Sequence, residues 1–280
     1  MKKNGRAEAT IKRSIEVLTA LAKLCDLNNP EETKLALANL KWKNNTKNTT
    51  AGILKMYYKF LNIPFEKPKY AKENELPFIP TEQEIDNLIV AGCHRTATRL
   101  QIFKETGARN GEIEKLKWLD IDTQRKTIYI TAEKGSNSRI LPISEKLVAM
   151  LNRIPKVNDK VFQVNKENFR KTFESLRKRT AIKLNNPRFY AIHLHTFRHW
   201  KGTMEYHKTK DIIHVKTVLG HKDIKSTMVY INLESAIFLA TSDEWTHIVA
   251  KTLDEACKAI DAGFEYVTDI DGNKLFRKRK

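Results

Sequence analysis

The sequence predicts a mainly α-helical protein of two domains, with a small β-sheet or hairpin set into the second. Three observations carry that expectation. Apolar residues recur at helical spacing ahead of position 65. The stretch from Phe65 to Pro80, rich in proline and charge, then breaks the periodicity. Farther on, two short β-rich runs flank a turn built of Gly, Ser and Asn. The expected boundaries are a helical domain over 1–70, a linker over 71–80, a second domain over 81–239 and a tail over 240–280.

Each element has a local reason. IKRSIEVLTALAKL and KNTTAGILKMYYKFL place apolar residues on one helical face with lysines between them. Thr81 and Glu84 form a T-x-x-E capping box that opens a helix through Ile89. KTIYITAEKGSNSRILPI reads as two strands around the turn Lys134 to Ser138, which brings lysine near a hairpin tip. Phe169, Phe173 and Leu176 form an apolar stripe whose helix carries Arg170, Lys171, Arg177, Lys178 and Arg179 on its other faces. Those cations suit either a polyanion or plain solvent. A second capping box, Thr252 to Glu255, starts a helix ending near Gly263, and FEYVTDIDGNKLF reads as a hairpin turning at Asp271 to Asn273.

Charge narrows the function. Among 280 residues, 51 are Lys or Arg and 33 are Asp or Glu, a formal net charge of +18. Such an imbalance points to a polyanion, most often nucleic acid. A basic terminal tail does not account for it, because the stretch 1–75 holds 15 basic against 8 acidic residues and 153–188 holds 11 against 3. The three cysteines, Cys25, Cys93 and Cys257, are far apart and odd in number, which argues against a disulfide framework and a CxxC zinc site. No apolar segment follows the basic start and none reaches membrane-spanning length, so a soluble, cytoplasmic protein without membrane association is expected.

The segment LHTFRHWKGTMEYHKTKDIIHVKTVLGHKDIKSTMVY, Leu194 to Tyr230, concentrates titratable side chains among apolar ones. His195 and His199 have the i, i+4 spacing of zinc ligands. The glutamate of HExxH is missing, however, and Arg198 stands where it would repel a metal, so no metal site is expected. No G-x-S-x-G elbow supports a serine hydrolase. His193, His207 and His214 are read as core histidines. His195, Arg198, His221 and Tyr230 remain, and together they suit phosphodiester chemistry. Arginine forks bind phosphate oxygens bidentately, a phenol can attack phosphorus, and histidine can move protons.

Four separated stretches, TGARNGEIEKL, EKGSNSRILPI, HTFRHWKGT and LGHKDIKSTMVY, resemble the tyrosine recombinase (phage integrase) family. The family orders its site as Arg, Lys, His-x-x-Arg, His or Trp, then Tyr, and Arg109, Lys134, His195, Arg198, His221 and Tyr230 follow that order without departure. The run after His195 and the tail are most similar to integrases of archaea and their viruses and to Xer-type recombinases.

The resemblance implies a two-domain DNA clamp made of a helical core-binding domain and a tyrosine recombinase catalytic domain. It further implies that Tyr230 attacks the scissile phosphate, leaving a 3'-phosphotyrosine and a free 5'-hydroxyl. Arg109 and Arg198 would clamp the phosphate, and Lys134 would protonate the leaving oxygen, with Lys126 and Arg139 as competing cations in the same hairpin. His195 would assist proton transfer, and His221 would bond the phosphate or support the site. Glu112, three residues after Arg109, would orient the site as a supporting carboxylate, its alternative being a solvated helix charge. No cofactor is expected, because the phosphotyrosine conserves the phosphodiester's energy. The implied partners are a double-stranded DNA recombination site and further copies of the chain, as a tetramer on two duplexes joined through a Holliday junction. The tail is the candidate contact between protomers. A type IB topoisomerase and a non-catalytic DNA-binding protein on the same scaffold are the alternatives.

Overall fold

The computed structural model describes residues 5–71, 75–133, 135–238, 245–270 and 272–279. The chain divides into two compact units, Met1–Glu75 and Leu76–Lys280.

The first unit holds three helices, α1 (Glu8–Leu21), α2 (Pro30–Asn39) and α3 (Asn44–Phe60). Their apolar faces meet at Val17, Leu21, Leu37, Leu54 and Tyr58. The middle helix is not evident from periodicity, since it buries only Thr33 and Leu37. Its start is specified by chemistry: the Asn29 side chain accepts from the Glu31 and Glu32 N–H groups, and Pro30 occupies the first turn. The proline-rich stretch is not uniformly a linker. Phe65 stacks on Tyr58 at 4.7 Å between ring centroids, and the Asn48 amide exchanges hydrogen bonds with the backbone of Tyr70. Farther along, Phe78 and Ile79 pack on the core of the second unit.

That second unit begins with α4 (Glu82–Ala91), whose Thr81/Glu84 capping box is formed as expected. Next come α5 (His94–Thr106), α6 (Asn110–Glu114) and an antiparallel sheet of β1 (Ile121–Asp122), β2 (Thr127–Ile130) and β3 (Arg139–Pro142) in that order. The expected hairpin is β2 and β3, registered Tyr129 opposite Ile140, with a third short strand beside it. Helices α7 (Glu145–Asn152), α8 (Lys166–Lys183), α9 (Leu194–Thr209), α10 (Ile212–Leu219) and α11 (Val229–Phe238) complete the helical layer. Phe169, Phe173 and Leu176 are buried as their stripe predicts. Arg177 departs from the outward-facing cations expected there, whether toward a polyanion or toward solvent. It is buried and donates to the Ile192 carbonyl at 2.8 Å.

The tail is more structured than a helix and a hairpin. Strand β4 (Trp245–Ala250), helix α12 (Leu253–Asp261) and strands β5 (Glu265–Ile270) and β6 (Asn273–Arg279) form a second antiparallel sheet, ordered β4-β6-β5, with a small core of Ala250, Ala256, Ala259 and Phe276. The Thr252/Glu255 box caps α12 as expected. The turn assigned to Asp271 to Asn273 includes Asp271, which lies outside the described residues.

Candidate active site

Helix α9 is the scaffold of the site. Its HTFRHWKG sequence places His195, Arg198, His199 and Gly202 on one face by their three- and four-residue spacing. Phe197 and Trp200 turn into the core instead. Arg198 is 1% exposed. It donates to the Gly107 carbonyl at 2.9 Å and the Leu219 carbonyl at 2.6 Å. Those carbonyls lie at the C-terminal ends of α5 and α10, where the helix dipoles concentrate negative charge. Gly107 caps α5 in the left-handed conformation at φ 59°, and a Cβ there would sit 2.8 Å from Leu219. Burial and the neighbouring Arg109 lower the Arg198 pKa to about 10, which leaves it charged at neutral pH.

Arg109 immediately precedes α6, with about a quarter of its side chain exposed. Its backbone N–H and its guanidinium both donate to Glu112, at 2.9 and 3.2 Å. The fully buried Glu112 carboxylate also accepts from Arg139 at 2.9 Å and from the Ser136 hydroxyl at 2.9 Å. Burial pushes this carboxyl up, but the bonds from Arg139, Arg109 and Ser136 outweigh it and hold the group below its ordinary 4.5. Glu112→Ala leaves two guanidiniums without their buried counter-ion, so a loss of about 3–5 kcal/mol is expected in urea unfolding of the second unit. Because the folded pKa is depressed, the ionised group's contribution is intact above 4.5 and is lost as pH falls through the native value.

Tyr230, near the start of α11, is 1% exposed. Its ring lies parallel to His221 at 6.3 Å and tilted against His199 at 6.0 Å. Burial raises the phenol to about 12, while Arg198 and Arg109 pull it down. The seat exists because residue 202 has no side chain: a Cβ at Gly202 would lie 2.6 Å from the Tyr230 ring. Alanine at an interior helical glycine ordinarily stabilises by about 1 kcal/mol. Gly202→Ala is expected to cost about 1–3 kcal/mol instead, and the penalty should vanish in a Tyr230→Ala background, measured by a double-mutant cycle of thermal melts. One turn after Tyr230, Glu234 ties α11 to α9 by accepting from His207 at 2.8 Å and from Lys210.

His221 is buried, and its Nδ1 pairs with the Thr227 hydroxyl at 2.9 Å. Burial, then Arg198, Arg109 and Arg139, lower its pKa to about 3. His195 keeps an exposed ring edge, but the protein packed around it and the same two active-site guanidiniums lower its pKa as well. Both rings are therefore neutral at pH 7, and a pKa near 3 suits His221 to hydrogen bonding rather than to taking up a proton. His199 meets His195 edge to face at 4.7 Å, and burial lowers it to about 4.

Arg109, His195, Arg198, His221 and Tyr230 thus converge on one locus, with Glu112 behind Arg109. Lys134 lies outside the described residues. Of its two competitors, Arg139 is buried on Glu112, whereas Lys126 makes only an exposed pair with Glu145. The reading of His193, His207 and His214 as core histidines is corrected. His193 and His214 are exposed and His207 is partly exposed, and each is held by a charged neighbour: Arg177, Glu205 and Glu234 respectively. Sequence reasoning also missed Arg139, Ser136, Thr227 and Gly202 as supports. Only Gly202 carried a local signal, a glycine inside a helical pattern.

Among the described residues, no group of three or more His, Cys, Asp or Glu side chains could hold a metal ion. Nor is any of their helices long and apolar enough to cross a membrane.

Residues 80–236 match the model of the phage integrase family. The chain is similar to tyrosine recombinase XerA of Saccharolobus solfataricus, 25% identical over 186 residues that cover 64% of this chain and 60% of that protein. It is also similar to a tyrosine recombinase of Thermosipho africanus, 28% identical over 185 residues covering 61% and 62%. The chain therefore spans less than two thirds of the length of these two relatives. Among solved structures, a lambda integrase tetramer bound to a Holliday junction superposes with a TM-score of 0.64 at 14% identity, covering 80% of this chain and 72% of that one, a likeness of fold.

Proposed function

Since the chain belongs to the phage integrase family, we propose that it is a site-specific DNA recombinase that cuts and rejoins strands through Tyr230. The observation that carries this reading is the convergence of two guanidiniums and two neutral imidazoles on a single phenol. In the cleavage step the Tyr230 oxygen attacks the scissile phosphorus and the bond to the 5'-oxygen breaks. His195 takes part in moving the phenolic proton. Lys134 delivers a proton to the departing 5'-hydroxyl, and Arg109 and Arg198 bind the non-bridging oxygens, where charge develops. His221 bonds the same phosphate or steadies Tyr230. Glu112 fixes Arg109 before DNA arrives. The 3'-phosphotyrosine is then attacked by a 5'-hydroxyl of a second strand, which restores the phosphodiester without a cofactor or a metal ion.

The helical unit over 1–70 and the catalytic domain over 81–239 serve as two halves of a clamp on duplex DNA, with the tail over 240–280 as the contact between protomers. By analogy with the lambda assembly, four copies act on two duplexes through a Holliday junction in the cytoplasm. The test is covalent trapping: the protein is incubated with a pool of random-sequence nicked duplexes, denatured, and the attached DNA is sequenced. A recombinase yields adducts enriched in one sequence. Adducts whose only turnover product is relaxed plasmid indicate a topoisomerase, and DNA binding without any adduct indicates a non-catalytic binder.

A further inference from the structure

Next to the site lies a cleft of about 280 Å³, bounded by Arg109, Asn110, Arg170, Glu174, His193 and His195. It is far larger than the roughly 30 Å³ share of one water, and Arg198, His221 and Tyr230 do not line it. Arg109 and His195 belong both to it and to the site, so it opens directly beside the reaction locus, while Arg198 and Tyr230 are closed off from it by their burial. Its most informative wall is His193. The buried Arg177 guanidinium sits 2.9 Å from His193 Nδ1. A guanidinium can only donate, so Nδ1 is the acceptor and the ring's proton is on Nε2. Arg177 is itself anchored on the Ile192 carbonyl at 2.8 Å, which fixes the ring's tautomer and its orientation together. His193 also stands at the N-terminus of the 16-residue helix α9, where the helix dipole favours an anion. The single acid in the cleft, Glu174, is paired with Arg170 at 3.4 Å.

We infer that this cleft binds a second backbone phosphate of the DNA, adjoining the scissile one, with His193 Nε2–H and Arg170 as its donors. The inference rests on the recombinase reading, because it takes the scissile phosphate to lie between Arg109 and Arg198. The two donors differ in a measurable way. Arg170 neutralises a phosphate charge and releases counter-ions, whereas a neutral imidazole strengthens binding without doing so.

Affinity for a random-sequence duplex, measured as a function of salt, tests this. His193→Phe keeps the ring's shape and removes both nitrogens. It should weaken binding about tenfold, the usual worth of a hydrogen bond to a charged group, at an unchanged salt slope. His193→Gln, which carries an amide N–H in place of Nε2–H, should restore most of that loss. Arg170→Ala should reduce the slope by about 0.9. A His193→Phe protein that binds like the unmodified one overturns the inference. So does a loss that His193→Gln fails to restore, which would make His193 merely a prop for Arg177. If the unmodified protein binds no duplex, the recombinase reading falls, and this inference with it; normal binding and trapping alongside an inert His193 removes the inference alone.

Discussion

Tyr230→Phe is expected to abolish the denaturant-resistant protein–DNA adduct completely while leaving duplex affinity unchanged. The substitution removes one oxygen from a ring that is 1% exposed and keeps the ring's contacts with Gly202 and His221. No cation is lost, so the electrostatic part of binding is intact. Without the hydroxyl the proposed nucleophile is gone from the locus on which Arg109 and Arg198 converge. The measurement is denaturing electrophoresis of a labelled nicked duplex. An undiminished slow band in the Phe variant would remove Tyr230 from the mechanism.

The second large effect is the response to salt. With a net charge of +18, and with 15 basic against 8 acidic residues in 1–75 alone, both parts of the chain can contact phosphates. A clamp that neutralises six to ten of them should lose roughly 10³- to 10⁵-fold in affinity between 50 and 200 mM salt. Fluorescence anisotropy with a labelled duplex reads this directly. A slope near zero would mean that the excess charge is only solvated surface and that the clamp model is wrong.

Much of this architecture was legible because it is local. Thr81 with Glu84 and Thr252 with Glu255 specify helix starts through bonds three residues long, and both boxes form. The stripe of Phe169, Phe173 and Leu176 reports its burial by spacing alone. What escaped depends on partners far away in the chain. Strand β4 is paired entirely with β6, about thirty residues on, and nothing within WTHIVA requires that pairing. Arg139 read as a loose hairpin cation, yet 27 positions separate it from the carboxylate that buries it. Arg177 and His193 likewise became a pair only once α8 and the start of α9 were brought together. The motif residues are a different case. They were found by their order along the chain, and α5, α10 and α11, which lead to Arg109 and His221 or carry Tyr230, all pack on α9.

Arg198 has a consequence for how such sequences drift over evolutionary time. By holding the carbonyl ends of α5 and α10 together from a fully buried position, it serves the fold whether or not a phosphate ever arrives. Its removal would leave two buried carbonyls unpaired, a cost of about 1–3 kcal/mol each, which is a large share of a typical domain's stability. Selection for stability alone would therefore retain Arg198 in a lineage that had ceased to cut DNA, and to a lesser degree the ring of residue 230, which fills part of the core with Val215, Leu219 and Leu233. His195 is the opposite case: it is exposed and belongs to none of the hydrophobic clusters. In descendants of this protein, replacement at position 195 is thus an earlier sign of lost chemistry than anything at 198, and an intact arginine testifies only to an intact fold.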